Sequence, residues 1–173
     1  EFETKYTTAD KGWNAQTLHL YSHCGTHADA PWHYDAGDTT IDDIPLERCI
    51  VPAWIVDFPE VQPKALLGVE SLGRAGEAVQ PGEGLLLRTG WSRRIGTTEY
   101  YDALPRIGPD LAEWMASKRI GVLGVEPPAV ADPHNIEEIT AIHRTLLRAH
   151  ILIVEGLTNL EAISREKVTF IAL

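Results

Sequence analysis

Short apolar runs alternate along this chain with polar breaks marked by glycine and proline, and none approaches the roughly 20 residues that span a bilayer. Residues 16–23, Gln-Thr-Leu-His-Leu-Tyr-Ser-His, read as a strand running into a histidine-rich stretch. Cys49 to Phe58 is rich in β-branched and aromatic side chains and predicts a second strand, with Pro52 placing it at a sheet edge or a bulge. Leu66 to Arg74 fits a short helix stopped by Gly76. After the turn sequence Gln80-Pro-Gly-Glu-Gly84, the run Leu85-Leu-Leu-Arg-Thr89 predicts a buried strand ending at Gly90.

Pro109 opens a predicted helix whose apolar positions Leu111, Trp114 and Met115 fall at helical spacing and whose end carries Lys118 and Arg119. Ile120 to Val125 predicts a strand, Ile139 to Ala149 a helix and Ile151 to Glu155 a further strand. Helix and strand thus alternate in the second half. That order predicts an α/β or α+β fold, a single domain over residues 1–173 with a mixed β-sheet and flanking helices.

Charge narrows the partners. Fifteen basic against twenty-five acidic residues give a net charge of -10, which repels a polyphosphate backbone, so nucleic acid is not an expected partner, and the short apolar runs make a membrane none either. The chain opens Glu1-Phe-Glu-Thr-Lys5 with no basic and then apolar leader, and a cytoplasmic location is expected. Cys24 and Cys49 read as small buried thiols of a reducing compartment, not as a disulfide framework.

The densest chemistry lies in Tyr21-Ser-His-Cys-Gly-Thr-His-Ala-Asp-Ala-Pro-Trp-His-Tyr34, where His23, His27, Asp29 and His33 gather three of the chain's seven histidines. His23, Gly25, His27 and Asp29 share parity. A fully extended backbone, however, would hold His23 and His27 about 13 Å apart, too far for two ligands of one ion. A turned loop is therefore expected, and Gly25 supplies the freedom for it. Imidazole and carboxylate at this density suit Zn, Mn or Fe, and the lack of a Cys-x-x-Cys pair points away from a structural zinc knuckle. An open, catalytic metal site is the expectation.

The pattern His23-x-Gly25-Thr26-His27-x-Asp29-x-Pro31-x-His33 resembles the HxGTHxDxPxH signature of the cyclase family of metal-dependent hydrolases, which includes bacterial kynurenine formamidase and isatin hydrolase. The similarity continues through Leu87-Arg-Thr-Gly-Trp91, Leu123-Gly-Val-Glu126, His143 and Val154-Glu-Gly-Leu-Thr-Asn159. It implies the family's swivelling β/β/α fold and a homodimer or higher homo-oligomer. It also implies one or two divalent ions, Zn or Mn, held by His23, His27, Asp29, His143 and Glu155, with Asp29 able to bridge. His33 would act as general acid/base. On residues alone, His143 reads as a helix-surface histidine, and Glu155 as a carboxylate that is costly to bury without a cation.

The implied activity is metal-assisted hydrolysis of a C–N or C–O bond at the carbonyl of a small aromatic amide, lactam or lactone, with Trp32, Tyr34 and Trp91 as pocket walls. A metal-dependent cyclase or lyase and a non-catalytic small-molecule-binding member of the family are the alternatives. Two departures stand out. Formamidases of the family carry Gly-Ile-Asp-x-x-Ser where this chain reads Gly124-Val-Glu126-Pro-Pro-Ala129, and the resemblance implies that terminal strands of a full-length protein lie outside these residues.

Overall fold

The computed structural model describes residues 1–173. In chain order its elements are β1 (Phe2–Tyr6), α1 (Thr8–Lys11), β2 (Ala15–Leu18), β3 (His27–Asp29), β4 (Ile50–Asp57), β5 (Leu66–Leu67) and α2 (Gly73–Ala78). Then follow β6 (Gly84–Arg88), α3 (Thr98–Asp102), β7 (Arg106–Ile107), α4 (Pro109–Lys118), β8 (Val122–Val125), α5 (Ile136–Arg148), β9 (Leu152–Glu155) and β10 (Lys167–Ile171). Six strands form one sheet in the order β10-β4-β6-β8-β9-β3. Its four inner strands are parallel, and the two edge strands, β10 and β3, run antiparallel to them. This is the expected mixed α/β sheet. No helix is long and apolar enough to cross a membrane.

Side-chain alternation divides the sheet's two faces. Leu85, Leu87, Leu123 and Ile153 join Leu111 and Met115 of α4 and Ile142 and Leu146 of α5 in one core. Leu86, Val122, Leu152 and Val154 point the other way and pack with Ile44, Cys49, Leu157 and Leu160. Strands buried on both faces read as continuous apolar runs, as these do. Helix α4 begins with Pro109 in its first turn and ends with Arg119 in the left-handed conformation. The side chain of Asn135 accepts a hydrogen bond from the Glu138 amide at 3.1 Å and caps α5.

Several expectations are corrected. The strand over residues 16–23 stops at Leu18, because it pairs only with β1 in a separate two-stranded hairpin and the chain then turns. Pro52 lies in an inner strand, not at an edge or a bulge. Its neighbours Ala53 to Asp57 pair with β6, and that ladder begins one residue after the proline, so β6 never requires its missing N–H. The helix over Leu66 to Arg74 is instead strand β5, a 3-10 turn at Val69–Ser71 and α2, which runs through Gly76. Helix α5 starts at Ile136, one turn before the apolar periodicity, on a polar first turn with Glu137 and Glu138. Cys24 is exposed, and of the two thiols Cys49 alone is buried.

Candidate metal centre

Edge strand β3 brings the histidine-rich segment to the sheet. Its antiparallel pairing sets His27 opposite Glu155 and Asp29 opposite Ile153. Directly opposed residues share a face, and Ile153 belongs to the helix-side core, so His27, Asp29 and Glu155 all project toward α5. From α5, His143 meets them. It lies among Ile139, Ile142, Leu146 and Leu147 on the buried stripe of that helix, which corrects the reading of a surface histidine. His33 sits in the 3-10 turn Pro31–Tyr34 that follows β3, and Arg144 Nε donates to the Tyr34 carbonyl at 3.0 Å to hold that turn on α5.

The donor atoms converge. His27 Nε2 lies 3.4 Å from Glu155 Oε2 and 3.6 Å from Asp29 Oδ1, while His143 Nε2 lies 3.5 Å from Glu155 Oε1 and 3.6 Å from Asp29 Oδ2. Ligands at about 2.1 Å around one ion stand about 3.4 Å apart, close to each of these pairwise separations, although the His27 and His143 contacts use different oxygens of Asp29 and Glu155. His23 Nδ1 is 2.9 Å from Asp29 Oδ1, and the turn at Gly25 closes the His23 and His27 rings to 5.0 Å, as the expected bend requires. The His33 ring stacks on His23 at 3.8 Å. Two groups of donors, His23–Asp29–His33 and His27–Asp29–Glu155, each lie within 4.8 Å, and Asp29 belongs to both.

Asp29, His143 and Glu155 are each at most 3% exposed. Both oxygens of Asp29 and Nε2 of His27 are buried and make no well-aligned hydrogen bond, although His23 Nδ1 stands 2.9 Å from Asp29 Oδ1; a buried group left so costs about 1–3 kcal/mol unless something else satisfies it. A divalent cation fits that deficit, and five imidazole and carboxylate side chains are a donor set suited to it. Glu155 Oε1 also accepts from the Val130 amide at 2.9 Å.

The site's titration follows from the same contacts. Burial works against the charge on Asp29, but His143 and the imidazoles of His33 and His27 outweigh it and hold the carboxyl below its usual range. Burial likewise opposes protonation of His143, and Asp29 and Glu155 overcome it, raising the imidazole to about 9. Glu155 raises His27, whereas burial lowers His33.

His23, His27, Asp29 and His33 line a cavity of about 760 Å³ at the sheet edge, whose apolar side includes Trp32 and Ile41 together with Ile44, Leu46, Leu152 and Val154, while His143 and Glu155 lie behind them and do not line it. Trp32 is 69% exposed at this cavity. Tyr34 stacks on His143 at 4.1 Å and so supports the donor cluster instead of lining the cavity. Trp91 is not a wall. It is buried in the core, where its Nε1 donates to the Tyr100 carbonyl and the Arg94 guanidinium covers its ring. Glu126 stands apart from the donors, fully buried, and accepts from the Thr89 and Gly90 amides and from the Thr89 and Ser92 hydroxyls.

A family model described as "Putative cyclase" matches residues 2–132. The chain belongs to the cyclase family. The kynurenine formamidase of Bacillus mycoides is 30% identical over 156 residues, 90% of this chain and 70% of its own length. That of Geobacillus thermodenitrificans is 28% identical over 158 residues, 90% of this chain and 71% of its own. Among solved structures, an isatin hydrolase bound to the product analogue thioisatinate superposes with a TM-score of 0.82 at 25% identity, covering 97% of this chain and 72% of that one. Isatin hydrolase A from Labrenzia aggregata, bound to benzyl benzoate, reaches 0.84 at 21% identity over 97% of this chain and 73% of that one, a likeness of fold. The family match ends before α5 and β9, so it does not include His143 or Glu155.

Proposed function

We propose that this cyclase-family chain is a metal-dependent hydrolase that opens the C–N bond of a small aromatic amide or lactam, or the C–O bond of a lactone. The observation that carries the reading is the pair of buried carboxylates, Asp29 and Glu155, faced by His27 and His143 at 3.4 to 3.6 Å beside an apolar cavity. The likeness to kynurenine formamidases and an isatin hydrolase supports the same substrate class.

His23, His27, Asp29, His143 and Glu155 would hold one or two divalent ions, zinc or manganese, with Asp29 shared between neighbouring positions. A bound cation of this kind polarises a carbonyl and lowers the pKa of water toward about 7. His33 lies on the cavity wall, stacked on His23 and free of a protein hydrogen-bond partner at its ring, a placement that suits it to take a proton from water and return it to the leaving nitrogen or oxygen. The exposed ring of Trp32 offers a flat apolar face to an aromatic substrate. Two free thiols, one exposed, suit a reducing cytoplasm. Phe2, Leu18, Leu20 and Tyr21, exposed in and beside the β1–β2 hairpin, suit a homodimer or larger homo-oligomer.

Metal analysis of protein purified without chelator, followed by turnover of N-formyl anilines, isatin and aryl lactones in labelled water, tests the reading. Metal-dependent hydrolysis with label in the product supports it. Turnover without label would indicate a lyase or cyclase, and a metal-loaded protein inert to every compound would indicate a binding protein.

A further inference from the structure

The loop before β3 crosses the end of β9 at one close point. Gly156 follows Glu155 directly with φ +69°, and a Cβ there would stand 2.7 Å from the Gly25 carbonyl oxygen. The Thr26 hydroxyl donates to the Gly156 carbonyl at 2.7 Å, joining positions 130 residues apart. The Gly25 carbonyl is in turn 3.0 Å from His27 Nδ1. A carbonyl can only accept, so Nδ1 carries the hydrogen, and the neutral ring keeps a lone pair on Nε2. Nε2 is the buried, unpartnered nitrogen that faces Asp29 and Glu155.

We propose that Thr26 and Gly156 form a clasp that holds the Gly25 carbonyl where it selects the His27 tautomer and aims its lone pair into the donor cluster. Both are positioning residues and touch no reacting atom. The missing side chain of Gly156 leaves room for the carbonyl, and the Thr26 hydroxyl fastens the crossing from the other side. The inference rests on the metal-centre reading for its effect on affinity, but the tautomer itself does not depend on that reading. Outer partners that orient a histidine ligand are worth about 10- to 100-fold in metal affinity.

The test compares wild type, Thr26→Val, Thr26→Ser and Gly156→Ala in two measurements. Zinc affinity is read by competition with a chelator, and the His27 ring-nitrogen shifts are read in the metal-free chain at alkaline pH, where the ring is neutral. Wild type is expected to carry its hydrogen on Nδ1. Thr26→Val, which removes the hydroxyl at matched shape, and Gly156→Ala should each bind zinc about 10- to 100-fold more weakly. Thr26→Ser should bind close to wild type. A wild-type hydrogen on Nε2 would overturn the clasp even if every variant failed to fold. So would folded Thr26→Val with wild-type zinc affinity, including a variant whose only change is a lower thermal midpoint. Wild-type protein that takes up no zinc would instead sink the metal-centre reading, and the ring shifts would then decide the clasp alone.

Discussion

His27 and Glu155, separated by most of the chain, are cross-strand partners whose Nε2 and Oε2 lie 3.4 Å apart. The β3–β9 register therefore places His27, Asp29 and Glu155 of the five donors, the loop before β3 adds His23, and α5 adds His143. The consequences are measurable.

Asp29 belongs to both donor groups and is the group whose loss should hurt most. Asp29→Asn keeps the shape and removes the charge. It is expected to lower metal affinity by more than the roughly 100-fold upper range of an outer-partner loss. Full metal content in this variant, read by elemental analysis, would remove Asp29 from the centre.

His33→Ala is expected to keep the metal and lose about 100-fold or more in turnover, the usual size of a proton-transfer contribution. Because His33 shares a donor group with His23 and Asp29, metal loss in this variant would move it into the coordination sphere.

Trp32→Ala removes an exposed ring at the cavity and leaves the proposed donors in the sequence unchanged. KM for an aromatic substrate should rise while kcat stays near wild type, the mark of binding lost equally from ground and transition states. An unchanged KM would place the substrate elsewhere.

Metal should also stabilise the fold, since at the proposed site it would satisfy the Asp29 oxygens and His27 Nε2, which are buried without a hydrogen bond. Free zinc at 100 times its dissociation constant should add about 2.7 kcal/mol to the unfolding free energy. The check is thermal melting of chelated and zinc-supplemented protein. Identical curves would contradict the site.

Away from the centre, Arg88 hydrogen-bonds both oxygens of Asp57 and holds that carboxyl below its usual range. A lowered folded pKa gives stability that is present above the unfolded value of about 3.9 and is lost as pH falls through the folded value. Asp57 is 60% exposed, so Asp57→Asn should cost only about 0.2–1 kcal/mol at neutral pH. In urea titrations the gap between variant and wild type should close at acid pH. A gap that persists there would assign the effect to something other than ionisation.

The parts of the fold legible in the sequence are those where one physical signal dominates. Leu85 to Leu87, Val122 to Val125 and Leu152 to Val154 are buried on both faces and read as apolar runs, and Pro109 marks the start of α4. Pro52 misleads because its effect depends on where the neighbouring strand begins, a fact of register and not of local sequence. Strand β3 has only three residues, too few for alternation to show, and β10 has no fully buried residue to mark it. Within the site, the signature gathers His23, His27, Asp29 and His33, yet Tyr34 as a support for His143 depends on the packing of the 3-10 turn against α5. His143 did leave a trace: it occupies the stripe position between Ile139, Ile142, Leu146 and Leu147, where a polar residue must be explained. The Val130 amide leaves none, since every residue has one.

The position of β3 at the edge of the sheet governs when the centre can exist. β3 bonds only to β9, the ninth of ten strands, so during synthesis the motif is made early and waits for residues near 155. Closing so long a loop is entropically slow, and local hairpins and helices form first. The nascent chain thus carries its histidines unassembled until α5 and β9 have left the ribosome, and an interruption of translation before that point yields a product that has the whole signature and no centre.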